Sequence, residues 1–210
     1  MQFQIKSLNY VPLRINNWNL ISQELKNKYY VPDDAKGNTG TSTFDWNVEN
    51  FGTLYTELER KLSRFEITVK RARFFYTKPG CELGPHVDGT GELGHYYWAI
   101  NFPVHVPIDN HYHEWYSYDG EYVQNYNESY TDSTLLKDPN RKKLIDRLIL
   151  DKPYLVKVGI PHAVYNHSDT VRLILSIRIT KPQFIPNLIK SSIAEERFAI
   201  SVHKNQNLDQ

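Results

Sequence analysis

Apolar residues recur along this chain with two different spacings. Between Asn17 and Lys28, Trp18, Ile21 and Leu25 fall on one helical face, and Asn17 stands where a helix cap belongs. Between Asn50 and Leu62 the stripe is Phe51, Leu54, Tyr55, Leu58 and Leu62, which predicts a second helix. Pro32 to Ser42 is rich in Pro, Asp, Gly and Asn and reads as a loop. From Glu66 onward the period becomes two. Ile67, Val69, Arg71, Arg73 and Phe75 alternate with Thr68, Lys70, Ala72 and Phe74. Tyr96 to Val104, Tyr154 to Val158 and Val171 to Ile179 read as further strands. Asp119-Gly120, between aromatic runs, predicts a hairpin within Glu114 to Val123. Asp138 to Leu148 reads as a short helix, and Ser191 to Phe198 carries a weaker helical signal. Two helices followed by many short strands with Gly and Pro turns predict a mainly β sandwich or jelly roll.

The run Thr170 to Ile179 is the sharpest. Val171, Leu173, Leu175, Ile177 and Ile179 should face a hydrophobic layer, which the N-terminal helices can supply. Thr170, Arg172, Ile174, Ser176 and Arg178 then face the other way, into the lumen of a closed jelly roll. A guanidinium placed there costs several kcal/mol unless an anion pairs with it, and a bidentate carboxylate is its natural partner. Arg178, nearer the strand end, reads as a solvated terminus that could reach the same site.

His86-Val87-Asp88 supplies an imidazole and a carboxylate on one strand face. A third ligand must come from elsewhere, and His162, after the Gly159 and Pro161 bends, is the best placed. Two histidines and one carboxylate on one side of an ion form the facial triad of non-haem iron(II) oxygenases.

Length and composition agree with this picture. A chain of 210 residues fits one domain: a helical layer over 1–64, a jelly-roll core over 65–182 and a tail over 183–210. Its 25 Lys and Arg against 24 Asp and Glu argue against a nucleic-acid partner. The short basic runs at Lys70 to Arg73 and Arg141 to Lys143 read as solvated faces. Cys81 is the single cysteine, so no internal disulfide forms. The start lacks signal-peptide character, and no apolar run could span a bilayer; a soluble, cytoplasmic protein is expected, with no membrane partner.

The segments Tyr76-Thr77-Lys78-Pro79-Gly80, Pro85-His86-Val87-Asp88, Ala99 to Pro103, His162 to Asn166 and Val171-Arg172-Leu173 together resemble the iron(II)/2-oxoglutarate-dependent oxygenases, in particular aspartyl/asparaginyl β-hydroxylase-like and phage-type members. The likeness runs from about Phe74 to Ile179. It implies a double-stranded β-helix (a cupin-like jelly roll) with N-terminal helices packed on one sheet. It implies His86, Asp88 and His162 as iron(II) ligands, and Arg172 as the holder of the distal carboxylate of 2-oxoglutarate. The activity implied is a dioxygenase that consumes 2-oxoglutarate and O2 and hydroxylates a peptidyl or small-molecule substrate. Some β-hydroxylases lack the carboxylate ligand; Asp88 keeps the full triad here. Asn101, Tyr97 and Tyr76 are candidates for the co-substrate site, and His95, Asn166 and Arg178 for the groups that orient the ligands.

Gly159 to Asn166 also resembles the second cupin motif, so a cupin-type metal-binding isomerase, or a binding module without catalysis, is the alternative. His111-Tyr112-His113-Glu114 has poor spacing for the first cupin motif and reads as a wet loop. Arg172 separates the readings, because an oxygenase needs it empty of protein partners.

Overall fold

A computed structural model describes residues 8–29, 39–88, 98–124, 133–179 and 185–206. In chain order the elements are β1 (Tyr10–Pro12), α1 (Trp18–Lys28), β2 (Thr39–Phe44), α2 (Val48–Ser63), β3 (Val69–Thr77), β4 (Cys81–Asp88), β5 (Trp98–His105) and β6 (His111–Tyr118). There follow β7 (Tyr122–Gln124), β8 (Ser133–Leu136), β9 (Lys142–Leu148), β10 (Tyr154–Lys157), β11 (His162–Asn166), β12 (Arg172–Ile179) and α3 (Ile185–Gln206).

Two six-stranded sheets result, ordered β1-β10-β5-β12-β3-β2 and β7-β8-β4-β11-β6-β9, and every pairing is antiparallel. The mainly β, jelly-roll expectation holds. The alternation in β12 decides which way its side chains go. Leu173, Leu175 and Ile177 join Ile100 and Phe102 of β5 in a core shared with Ile21, Leu25, Phe51, Leu54, Leu58 and Leu62 of the two helices. Ile185, Leu188 and Ile189 of α3 complete that layer. Between the sheets a second core holds Trp115, Leu148, Tyr154, Val156 and Ile174. Crossing bonds tie the sheets together, with Asp88 N–H donating to Val158 O (3.0 Å) and Trp115 Nε1–H to Lys157 O (2.7 Å).

Leu58 is fully buried on α2. Leu58→Ala should destabilise the protein by about 2–5 kcal/mol through lost transfer energy and the cavity left behind. Thermal unfolding would register this as a clear drop, and an unchanged midpoint would mean the helical layer does not contribute to the folded core.

Several expectations change. Asn17 sits at the α1 N-cap in left-handed geometry (φ 51°) and makes no side-chain cap bond. Asn47 does cap α2, its side chain accepting from Asn50 N–H at 2.8 Å. Thr39–Phe44 is a strand rather than loop, because β3 offers it a free edge; residues 32–38 lie outside the described set. The hairpin at Asp119-Gly120 does not form. Both edges of β6 are taken, by β11 and β9, and β7 pairs with β8 instead. The short helix over Asp138 to Leu148 is a 3-10 turn at Pro139–Arg141 followed by β9. Leu144 and Ile145 are half exposed there, so no helical stripe is buried, and the edge of β6 decides the conformation. His111 to Glu114 is not a wet loop but the start of β6, with His111, His113 and Glu114 buried. Glu114 accepts from Arg147 Nε–H (2.6 Å) and from the Tyr116 hydroxyl on the outer face.

Candidate metal centre

β4 and β11 lie side by side, with His162 opposite His86 in the register. The pleat turns His86 and Asp88 to one face, and His162 meets them from the neighbouring strand. Each of the three offers a ligand atom, and these atoms all lie within 4.8 Å of one another. His86 Nε2 is 3.5 Å from Asp88 Oδ1, and His162 Nε2 is 3.6 Å from Asp88 Oδ2.

The remaining ring nitrogens explain the orientation. His86 Nδ1–H donates to Gly84 O at 2.8 Å, and His162 Nδ1–H donates to Ile160 O at 2.9 Å. A carbonyl only accepts, so each Nδ1 carries the proton and each Nε2 presents a lone pair to the shared centre. Two imidazole nitrogens and one carboxylate, fixed in tautomer and gathered on one side, fit a divalent first-row metal such as iron(II).

Electrostatics favour the ligating forms. Burial pushes the Asp88 carboxyl up, but the Arg178 guanidinium, the His86 hydrogen bond and the nearby imidazoles override it and hold the group well below the usual carboxylate range. Burial, then His86, pushes His162 down to about 4, so it is neutral at pH 7. Arg178 pairs directly with Asp88 Oδ2. It is therefore not a solvated strand end: the inward alternation of β12 carries it across to β4. Arg71, its register partner on β3, and Arg73 line a smaller cavity beside His86 and Asp88, so this stretch of the basic run is half-buried rather than a solvated face.

A cavity of about 50 Å³ opens over the triad. Arg172, Asn101, Tyr76, Ser176 and His113 line it together with the triad. Arg172 is 1% exposed, and it is not empty of protein partners as the oxygenase reading of the sequence requires: its Nε–H donates at 3.3 Å to Nδ1 of His111, a ring neutral at pH 7, while no carboxylate among the described residues pairs with it. Among the described residues its Nη2 has no partner, and neither has Asn101 Oδ1. Burial lowers the guanidinium to about 10, which still leaves it charged at pH 7. Tyr76 reaches the cavity by passing its ring over Gly40, where a Cβ would come within 2.1 Å of the ring. Asn166 is fully buried but outside the cavity lining. Its Nδ2 donates to Thr77 O and Thr170 O, both at 2.8 Å, and its Oδ1 accepts from Ser168 Oγ, which pins the β11–β12 connection. His95 and Tyr97 lie outside the described residues.

Sequence reasoning missed Gly40, His111 and His113. The spacing of His111, His113 and Trp115, alternate residues of one strand, was the available signal for the last two.

His111 makes the site pH-sensitive. Burial, then Arg172, lowers it to about 4 from an ordinary 6.5. A depressed folded value means the unfolded chain takes up the proton first. The stability contribution is complete above about 6.5 and is lost as pH falls towards about 4. Metal-free protein should lose resistance to urea between about pH 7 and pH 5, above the ordinary carboxylate range. His162 and His113, also held down by burial, contribute in the same window, so His111→Gln, which keeps an acceptor for Arg172, should lessen that slope without abolishing it; equal slopes in both proteins would contradict the assignment.

No family model and no curated protein matches this sequence. Solved structures share its fold. A 2OG-Fe(II) oxygenase family oxidoreductase from Burkholderia pseudomallei is 12% identical with a TM-score of 0.51, covering 84% of this chain and 86% of that one. The non-heme alpha ketoglutarate dependent carbocyclase SnoK from nogalamycin biosynthesis is 13% identical with a TM-score of 0.50, covering 81% and 79%. The epimerase SnoN, in complex with Fe3+, alpha ketoglutarate and nogalamycin RO, is 9% identical with a TM-score of 0.50, covering 82% and 78%. At these identities the likeness speaks for the fold alone.

Proposed function

We propose that this chain is an iron(II)- and 2-oxoglutarate-dependent dioxygenase that hydroxylates a small-molecule or peptidyl substrate. One observation carries the reading: a two-histidine, one-carboxylate cluster shares its cavity with a fully buried arginine that has no carboxylate partner among the described residues. His86, Asp88 and His162 would hold the iron, leaving the cavity side open. Arg172 would take the distal carboxylate of the co-substrate, and Asn101 and Tyr76 complete the walls around it. Iron, when bound, supplies oxygen activation coupled to the conversion of 2-oxoglutarate to succinate and carbon dioxide. The chain's own contribution is to fix the ligand tautomers, orient the diacid and exclude water. The motifs at Tyr76 to Asp88 and His162 to Leu173, with their likeness to aspartyl/asparaginyl β-hydroxylases, point the substrate towards an amino-acid side chain.

A cupin-type isomerase would recruit the His111 and His113 pair as ligands. His111 is instead committed to Arg172, and the cluster of potential ligand atoms among the described residues holds neither histidine.

Purified protein supplied with iron(II), ascorbate and 2-oxoglutarate should form succinate in an iron-dependent reaction, slowly until a prime substrate is added. Absence of both succinate and 2-oxoglutarate binding in metal-loaded protein would overturn the proposal.

A further inference from the structure

His113 has no role in the function proposed above, and its surroundings are unusual. It is 2% exposed, it lines the cavity over the triad, and neither ring nitrogen has a hydrogen-bond partner among the described residues. An imidazole in any protonation state carries at least one N–H, and leaving that donor buried without an acceptor costs about 1–3 kcal/mol.

Its plane is fixed. The ring stacks on Trp115 at 4.4 Å and 15°, and on His162 at 5.1 Å and 23°. Trp115 is itself anchored through Nε1–H to Lys157 O. Stacking on the ring faces leaves only the edge, where the nitrogens sit, to make polar contacts.

Its position along β6 is equally defined. Two residues before it, His111 holds Arg172. Two residues after it, Trp115 is the register partner of His162. Each step of two places the next inward side chain about 6–7 Å further along. His113 therefore stands between the buried cation and the triad. A ligand spanning those two points passes its edge.

We propose that His113 is a co-substrate-binding residue, whose ring N–H donates to an oxygen at the metal-facing end of 2-oxoglutarate while Arg172 holds the far carboxylate. The assignment rests on the dioxygenase reading and adds a residue to it. The ligand chemistry it demands is an oxygen-rich diacid, because the groups on the path are donors: the Arg172 guanidinium at one end and the His113 N–H near the other.

Calorimetric titration of 2-oxoglutarate into protein loaded with manganese(II) tests this without turnover. His113→Phe keeps the stacking and removes both nitrogens. It should weaken 2-oxoglutarate binding by about 10- to 100-fold, the range for a hydrogen bond to a charged acceptor, with manganese affinity unchanged. His113→Gln restores a donor and should recover most of the loss. Unaltered 2-oxoglutarate affinity in His113→Phe overturns the assignment. So does a parallel loss of manganese, which would make the ring a packing support for His162. Wild-type protein that binds manganese but no 2-oxoglutarate refutes the dioxygenase reading itself, a separable result. Should His113→Phe fail to fold, 15N-histidine spectra of the zinc-loaded wild type decide: the His113 N–H signal, identified by its loss in His113→Gln, must shift when 2-oxoglutarate is added, and a static signal overturns the proposal.

Discussion

Asp88→Ala protein is expected to bind iron(II) more than about 100-fold more weakly than wild type and to form succinate only at the no-protein background. Loss of partners one shell further out already costs 10–100-fold in comparable sites, and Asp88 would contribute a ligand atom directly. The substitution has a structural side as well. Asp88 is the ion-pair partner of Arg178, and their side chains are 17% and 19% exposed. Removing the carboxylate leaves a largely buried cation uncompensated, at a cost of about 3 kcal/mol or less, since the long side chain can turn its head to water. His86→Ala separates the two effects. It should abolish iron binding too, yet it leaves the Asp88–Arg178 pair in place and so should unfold nearer to wild type. Metal titration and urea unfolding on both variants check this. Wild-type iron affinity in either one would dissolve the proposed ligand set.

Arg172→Met should change two quantities in opposite directions. The guanidinium is fully buried in the cavity wall, with a neutral imidazole as its hydrogen-bonding neighbour. Replacing an imperfectly paired buried charge with an apolar side chain of similar volume is neutral to stabilising by about 1–4 kcal/mol. The ligand-free variant should therefore melt at the same temperature as wild type or higher. Its affinity for 2-oxoglutarate should fall by about 1.5–3 kcal/mol, the value of a charge-assisted hydrogen bond. Gained stability with lost binding is the mark of a group kept for a ligand rather than for the fold. Strong destabilisation with unchanged 2-oxoglutarate affinity would assign Arg172 to the fold instead.

The inward set of β12 and the pairing of His86 with Asp88 on one strand face are legible in the sequence. Both depend on period two alone: once a segment is extended, alternation decides which side chains share a face. The helical stripes of α1 and α2 were legible for the same kind of reason. β9 was not. Leu144-Ile145 is compatible with either period, and what chose the strand was the vacant edge of β6, more than twenty residues earlier in the chain. The hairpin at Asp119-Gly120 failed likewise, since local turn chemistry was overruled when β11 and β9 occupied both sides of β6. Arg178 reached Asp88, and His113 came to rest between Arg172 and the triad, through packing of strands remote in sequence.

By itself the sequence determined the strand-rich class, the two helical faces and the residue types available for a metal and a diacid, because periodicity and side-chain chemistry are local properties. The tertiary structure decided which histidines converge, which arginine pairs with the carboxylate and which stays open to a ligand. Those outcomes depend on strand order and register, and long-range pairing is a competition among edges that no local stretch of chain encodes.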